Sequence, residues 1–184
     1  MSADAVGRHM PMTATLDDLT AMMAADPHGH RYELSPEGVL SVMPPPDFEH
    51  AVIATRLMFW LAAAGWPADR ITQAVGLRIP GADGMAGGRI PDLVVWTKSQ
   101  REGVWLSVTD VLLVVEIISP GSEAADTLTK RREYAAAGIP RYWTVGRDAN
   151  QMVTMYRLTG DGYEILASTP LAWVLNTKPG DHLD

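Results

Sequence analysis

The chain has 184 residues, 47% of them hydrophobic, and carries 15 Lys and Arg against 22 Asp and Glu for a net charge of −7. That length and apolar content suit one domain with its own core, and the lack of cysteine excludes disulfides and thiolate metal sites. No apolar run approaches the roughly 20 residues of a membrane span, and no secretory signal pattern is present, so a soluble, cytoplasmic protein is expected.

Residues 1–11 read as a flexible leader, being small, polar and without periodicity. Thr15 then caps a short helix that turns Leu16, Leu19, Met22 and Met23 inward. His28 and His30 follow in a loop; two loop histidines without a third ligand read more simply as solvated side chains than as a transition-metal site. Residues 31–34 and 39–42 form a hairpin around Ser35-Pro36-Glu37-Gly38. Asp47 caps a helix that Gly65 and Pro67 end, and Val52, Ile53, Leu57, Trp60 and Leu61 give it one apolar side for packing on a sheet. Residues 71–79 alternate as a strand. The glycine-rich stretch 81–88 lacks the lysine and the strand-to-helix context of a phosphate loop, and it reads as a mobile flap at a cleft mouth.

Two carboxylates interrupt the most apolar strands. Asp92 heads Leu93-Val94-Val95-Trp96, and Glu116 lies within Leu112-Leu113-Val114-Val115-Glu116-Ile117-Ile118. A charge on a strand covered on both faces costs several kcal/mol or more without compensation. Laid side by side as a hairpin joined by the polar segment 98–109, the two strands bring Asp92 and Glu116 together at one end. Converging carboxylates repel each other and hold a hard divalent cation, Mg²⁺ or Mn²⁺. Equally open from spacing alone is a turn-capping Asp92 beside a Glu116 paired with an arginine.

A helical segment follows, with Ser122 as its cap and Gly138 as its stop. Asp126, Lys130 and Tyr134 fall four residues apart and share a face. Lys130 either leans over the sheet end towards the carboxylates, or pairs with Asp126 on a solvated face. Beyond it, residues 141–145, 152–158 and 163–166 extend the sheet, with Tyr142 and Trp143 packing more readily than stacking bases. Residues 171–175 read as an edge segment or dimer contact, and 177–184 as a loose tail. The domain proper is taken as 12–176, an α/β fold with a mixed sheet flanked by helices.

Taken in order, Pro91-Asp92, then Val115-Glu116-Ile117-Ile118-Ser119-Pro120, Asp126 with Lys130, and Gly138-Ile139-Pro140-Arg141-Tyr142-Trp143 resemble the Uma-type restriction endonuclease family, a branch of the PD-(D/E)XK nuclease superfamily. The likeness extends upstream through Arg31-Tyr32-Glu33-Leu34 and Glu49-His50, covering residues 32–163. It implies a restriction-endonuclease-like fold and metal-dependent hydrolysis of DNA phosphodiester bonds, with RNA as an alternative substrate and a homodimer as a plausible assembly. Asp92, Glu116 and the Ile117 carbonyl would hold the metal, Lys130 would act in catalysis, and Glu33, His50 and Asp126 would support them. The superfamily pattern asks for lysine two residues after Glu116, where this chain has Ile118; the resemblance implies that Lys130 replaces it. The alternative is a nuclease-fold binding module with weak or no turnover, a reading that the acidic charge favours, because duplex binding draws on a basic face. A Lys130 amine near Glu116 supports catalysis, and one in solvent supports the binding module.

Overall fold

The computed structural model describes residues 14–100, 102–118 and 125–183. Its central layer follows from the two most apolar strands. In β1 (Arg31–Leu34), β2 (Leu40–Met43) and β3 (Ile71–Gln73) burial is partial, whereas β6 (Leu93–Trp96) is buried throughout and β8 (Val111–Ile117) at every position but Leu112, as strands covered on both faces require. The two pair antiparallel with Leu93 opposite Val115. On its other side β8 pairs in parallel with β9 (Arg141–Val145). The hairpin of β10 (Met152–Thr159) and β11 (Gly162–Pro170) extends one side of the sheet, and β3 closes the other, for the order β11-β10-β9-β8-β6-β3.

The two-residue period of a strand sorts these side chains between two cores. Leu93, Val95, Leu113, Val115 and Ile117 face α2 (Phe48–Ala63), where they meet Ile53, Leu57 and Leu61. Val94, Trp96 and Val114 face the other way and pack with Leu77, Ile79 and Tyr134. The second side is covered by α3 (Ala125–Ala136) and by a second mixed sheet, order β2-β1-β5-β4-β7, built with β4 (Gly76–Pro80), β5 (Ala86–Arg89) and β7 (Trp105–Ser107). Helix α1 (Leu16–Ala25), capped by Thr15 and Asp18, packs against that sheet through Leu16 and Leu19.

The expected α/β class with mixed sheet and flanking helices is present, but in two sheets, and five local readings change. Residues 71–79 are two strands in different sheets, because Ala74 takes a positive φ of 49° and breaks the alternation. Only the last part of the expected flap, residues 86–88, is ordered into β5 inside the second sheet, whereas Ala82–Gly84 is a helical turn before it: a Cβ on Gly87 would lie 2.6 Å from the Leu34 carbonyl, and one on Gly88 2.6 Å from the Trp105 ring. These glycines permit close packing and not motion. The polar 98–109 connection contributes β7, paired in parallel with β4. Finally, α4 (Leu171–Val174) replaces an edge segment, and the expected loose tail forms α5 (Gly180–Leu183), with Leu171, Val174 and Leu183 in the core and the Trp60 indole N–H donating to the Thr177 carbonyl at 2.9 Å. The leader 1–11 and the cap Ser122 lie outside the described residues.

Candidate active site

The register that sets Leu93 opposite Val115 carries Asp92 and Glu116 to the same end of the β6–β8 pair, where opposed residues project to one face. Glu116 has the parity of Val114, so it points to the α3 side. Asp92 lies just before β6, and its Oδ2 accepts from the Ile117 N–H at 2.8 Å. A residue of an extended strand directs its N–H and C=O to the same side, so the Ile117 carbonyl shares the edge at which Asp92 sits. Both carboxylates are 7% exposed.

Helix α3 supplies the cation. Lys130 and Tyr134, one turn apart, both reach Glu116: the Lys130 ammonium is 3.2 Å from Oε2, and the Tyr134 hydroxyl donates to Oε1 at 2.7 Å. Lys130, at 2% exposure, therefore does not pair on a solvated face. Its ammonium is also 3.2 Å from Glu33 Oε2. Glu33 is fully buried, and takes the Ile90 N–H on Oε1 at 2.8 Å and Arg89 on Oε2 at 3.1 Å. Arg31 stands two residues before Glu33 and so on the same face of β1; its Nη1 lies 3.1 Å from Asp92 Oδ1. His50, in the first turn of α2, places Nε2 3.0 Å from Asp92 Oδ2. Elements β1, α2, β8 and α3, with the residue just before β6, thus deliver Glu33, His50, Glu116, Ile117, Lys130 and Asp92 to one place. The side chain of Asp126, on the first turn of α3, is outside the described set.

The electrostatics differ across this cluster. Burial opposes ionisation of Asp92 and Glu33, but is outweighed: His50 and the Ile117 N–H lower the pKa of Asp92, and Lys130 and Arg89 lower that of Glu33. Glu116 goes the other way, raised from 4.5 to about 8 by burial and by the nearby charges of Asp92 and Glu33, with Lys130 and Tyr134 only partly offsetting them. Burial and Glu116 raise Tyr134, which keeps it a proton donor. Glu116 is thus the carboxylate of the cluster whose charge is least compensated.

That shortage tests whether a divalent cation fits. Among the described residues no three His, Asp or Glu side chains form a ready-made metal cage. Asp92, Glu116 and the Ile117 carbonyl stand at one end of the β6–β8 pair, and they are the kind of hard-oxygen donors that Mg²⁺ takes while keeping several waters. A cation there would supply the charge that Glu116 lacks, so the donor set fits.

Sequence reasoning brought Asp92, Glu116, Lys130, Glu33 and His50 forward, and the structure assembles all five. It missed Arg31 as the Asp92 partner, Tyr134 as a donor to Glu116, and Arg89 with Glu133 behind Glu33. Spacing held the signal for Arg31, two residues from Glu33, and for Tyr134, four from Lys130. Residues Tyr142 and Trp143, considered as base-stacking groups, are buried in the core at 0% and 1% exposure. His30 holds Asp26 through a 2.7 Å contact, and His28 is exposed; among the described residues no group of three potential metal ligands includes them.

Comparisons with known proteins give a family and a fold. The profile of the Uma2 family, described as "Putative restriction endonuclease", matches residues 16–180. Among solved structures, a protein of Anabaena variabilis titled as a putative nuclease belonging to DUF820 is similar over 83% of each chain, with 18% identity and a TM-score of 0.60, a likeness of fold. A search of curated proteins found no match.

Proposed function

The chain belongs to the Uma2 family of putative restriction endonucleases, and on that premise we propose that it is a metal-dependent endonuclease hydrolysing DNA phosphodiester bonds. The observation that carries this reading is the Lys130 ammonium 3.2 Å from Glu116. A lysine reaching Glu116 from the neighbouring helix supplies the charge that Ile118 does not. It favours turnover over a nuclease fold retained only for binding.

Asp92, Glu116 and the Ile117 carbonyl would hold Mg²⁺ or Mn²⁺, which when bound lowers the pKa of water and polarises a phosphoryl oxygen. Asp92 is held ionised by Arg31 and His50, ready as a ligand. Tyr134 fixes the orientation of the Glu116 carboxylate through its 2.7 Å hydrogen bond. Lys130, positioned by Glu33 and Glu116, orients the attacking water and stabilises charge that develops on the phosphate in the transition state. Such a buried donor acts without reorganising, since its partners already fix it. Asp126, on the same helix, is proposed to assist Lys130.

The site residues do not themselves select the sugar, so the test offers both. Supercoiled plasmid, single-stranded DNA and RNA are incubated with Mg²⁺ or Mn²⁺ and with chelator. Metal-dependent loss of the DNA substrates supports the proposal. Cleavage confined to RNA would replace its substrate, and no cleavage of any substrate would favour the binding module.

A further inference from the structure

Lys98, Lys130 and Lys178 are the lysines of the chain; the first and last are exposed, and Lys130 is buried. Its ammonium stands 3.2 Å from Glu116 Oε2, and 3.2 and 3.4 Å from Glu33 Oε2 and Oε1. A cation shared between two carboxylates is held less by the one that other donors satisfy more. Glu33 is satisfied by two other donors: the Ile90 N–H on Oε1 at 2.8 Å, and Arg89 Nη1 on Oε2 at 3.1 Å. Arg89 is fixed in turn by a two-pronged contact with Glu133, Nε to Oε2 and Nη2 to Oε1, both at 2.6 Å. This fork is the strong geometry for a guanidinium and a carboxylate. Arg89 and Glu133 are 3% and 7% exposed. Glu133 stands three residues after Lys130, so it lies beside it on the inner face of α3.

We propose that Arg89 and Glu133 form a positioning clamp: by saturating Glu33 they leave the Lys130 ammonium to serve Glu116 and the reacting phosphate. The catalytic consequence rests on the nuclease reading of the site, while the placement of Lys130 does not. The charges explain why the clamp needs both members. Arg89 and Glu133 cancel, so once Glu116 is ionised Glu33, Glu116 and Lys130 sum to one negative charge. Without Arg89, Glu33 loses its guanidinium and draws Lys130 away from Glu116. Without Glu133, Arg89 keeps Glu33 but loses the fork that orients it. Lysine at position 89 could not reproduce the planar fork, so it restores the clamp only in part.

The presence of one buried lysine among three makes the test direct. The ammonium of Lys130 is followed by ¹⁵N-detected NMR in the metal-free protein and assigned by its disappearance in Lys130→Arg. In Arg89→Met the clamp predicts a shifted or exchange-broadened Lys130 signal, a fall in kcat of about tenfold or more, and KM within about twofold. Arg89→Lys should fall between Arg89→Met and wild type in both readouts. Should Arg89→Met fail to fold, Arg89→Met combined with Glu133→Leu removes both buried charges and avoids an unpaired one. That folded double variant should still show the displaced Lys130 signal, whereas a purely structural ion pair predicts a wild-type signal once the fold is restored. An unchanged Lys130 signal in either folded variant overturns the clamp. If wild type cuts no nucleic acid while the signal moves as predicted, the clamp stands and the nuclease reading fails by itself.

Discussion

At Glu116 the competition between a proton and a cation sets a pH dependence. Its pKa is raised to about 8 in the folded chain from an ordinary 4.5, so between those values the folded protein binds a proton that the unfolded chain releases. By linkage the stabilisation from this group is fully present below pH 4.5 and is lost as pH rises through about 8. A metal requires the carboxylate, so apparent Mn²⁺ affinity of the wild type should rise about tenfold per pH unit up to about pH 8, with release of about one proton. Calorimetric titrations at pH 6.5 and 8.5, in buffers of different ionisation enthalpy, measure both; a flat affinity would contradict the account. Asp92, whose pKa is lowered, is already ionised in this range and adds no slope. Tyr134→Phe removes the 2.7 Å donor to Glu116 and leaves a buried oxygen short of a partner. Chemical denaturation should show a loss of about 1–3 kcal/mol. These carboxylates were legible in the sequence because each breaks an apolar strand. Arg89 and Glu133 were not, because their pairing joins β5 to α3 across the packing of two layers, and no local spacing encodes it.

The elements were legible where one period dominates. Helix α2 follows from its apolar positions, and its cap from Asp47, whose side chain accepts from the His50 N–H. Strands β6 and β8 follow from apolar runs, broken within β8 only by Glu116. The reading failed where packing and not propensity decides. Ala74 turns the chain between two sheets with a positive φ that the residue type does not favour. In β5 the glycines suggest a loop, yet they let the backbone come close to Leu34, Pro36 and Trp105. That difference is measurable. In Gly88→Ala the added methyl would lie 2.6 Å from the Trp105 ring and 2.7 Å from Leu16 Cδ2, so melting should show a destabilisation of about 1–3 kcal/mol by overpacking. A variant as stable as wild type would return this stretch to the reading of a loose flap.

For the whole molecule, two sheets and their helices bring a strand of the second sheet, the start of α2, the β6–β8 end and α3 to a single cluster. None of those segments holds the site by itself. Among the described residues no helix is long and apolar enough to cross a membrane. The net charge of −7 gives little non-specific attraction for a polyanion, so the affinity for nucleic acid should depend on the bound cation and on local arginines. Duplex binding measured with Ca²⁺ in place of Mg²⁺ should therefore exceed binding in chelator. Cutting both strands of a duplex would call for two such sites in a homodimer, which sedimentation with and without DNA tests.

The most direct measurement is a time course of plasmid cleavage in Mn²⁺ for wild type, Asp92→Ala and Lys130→Ala, purified identically and checked for folding. Wild type is predicted to convert supercoiled plasmid, and both variants to lose about a hundredfold or more in rate. Conversion by Lys130→Ala at the wild-type rate would contradict the assignment of the migrated lysine, and conversion by both variants would place the chemistry somewhere other than this cluster.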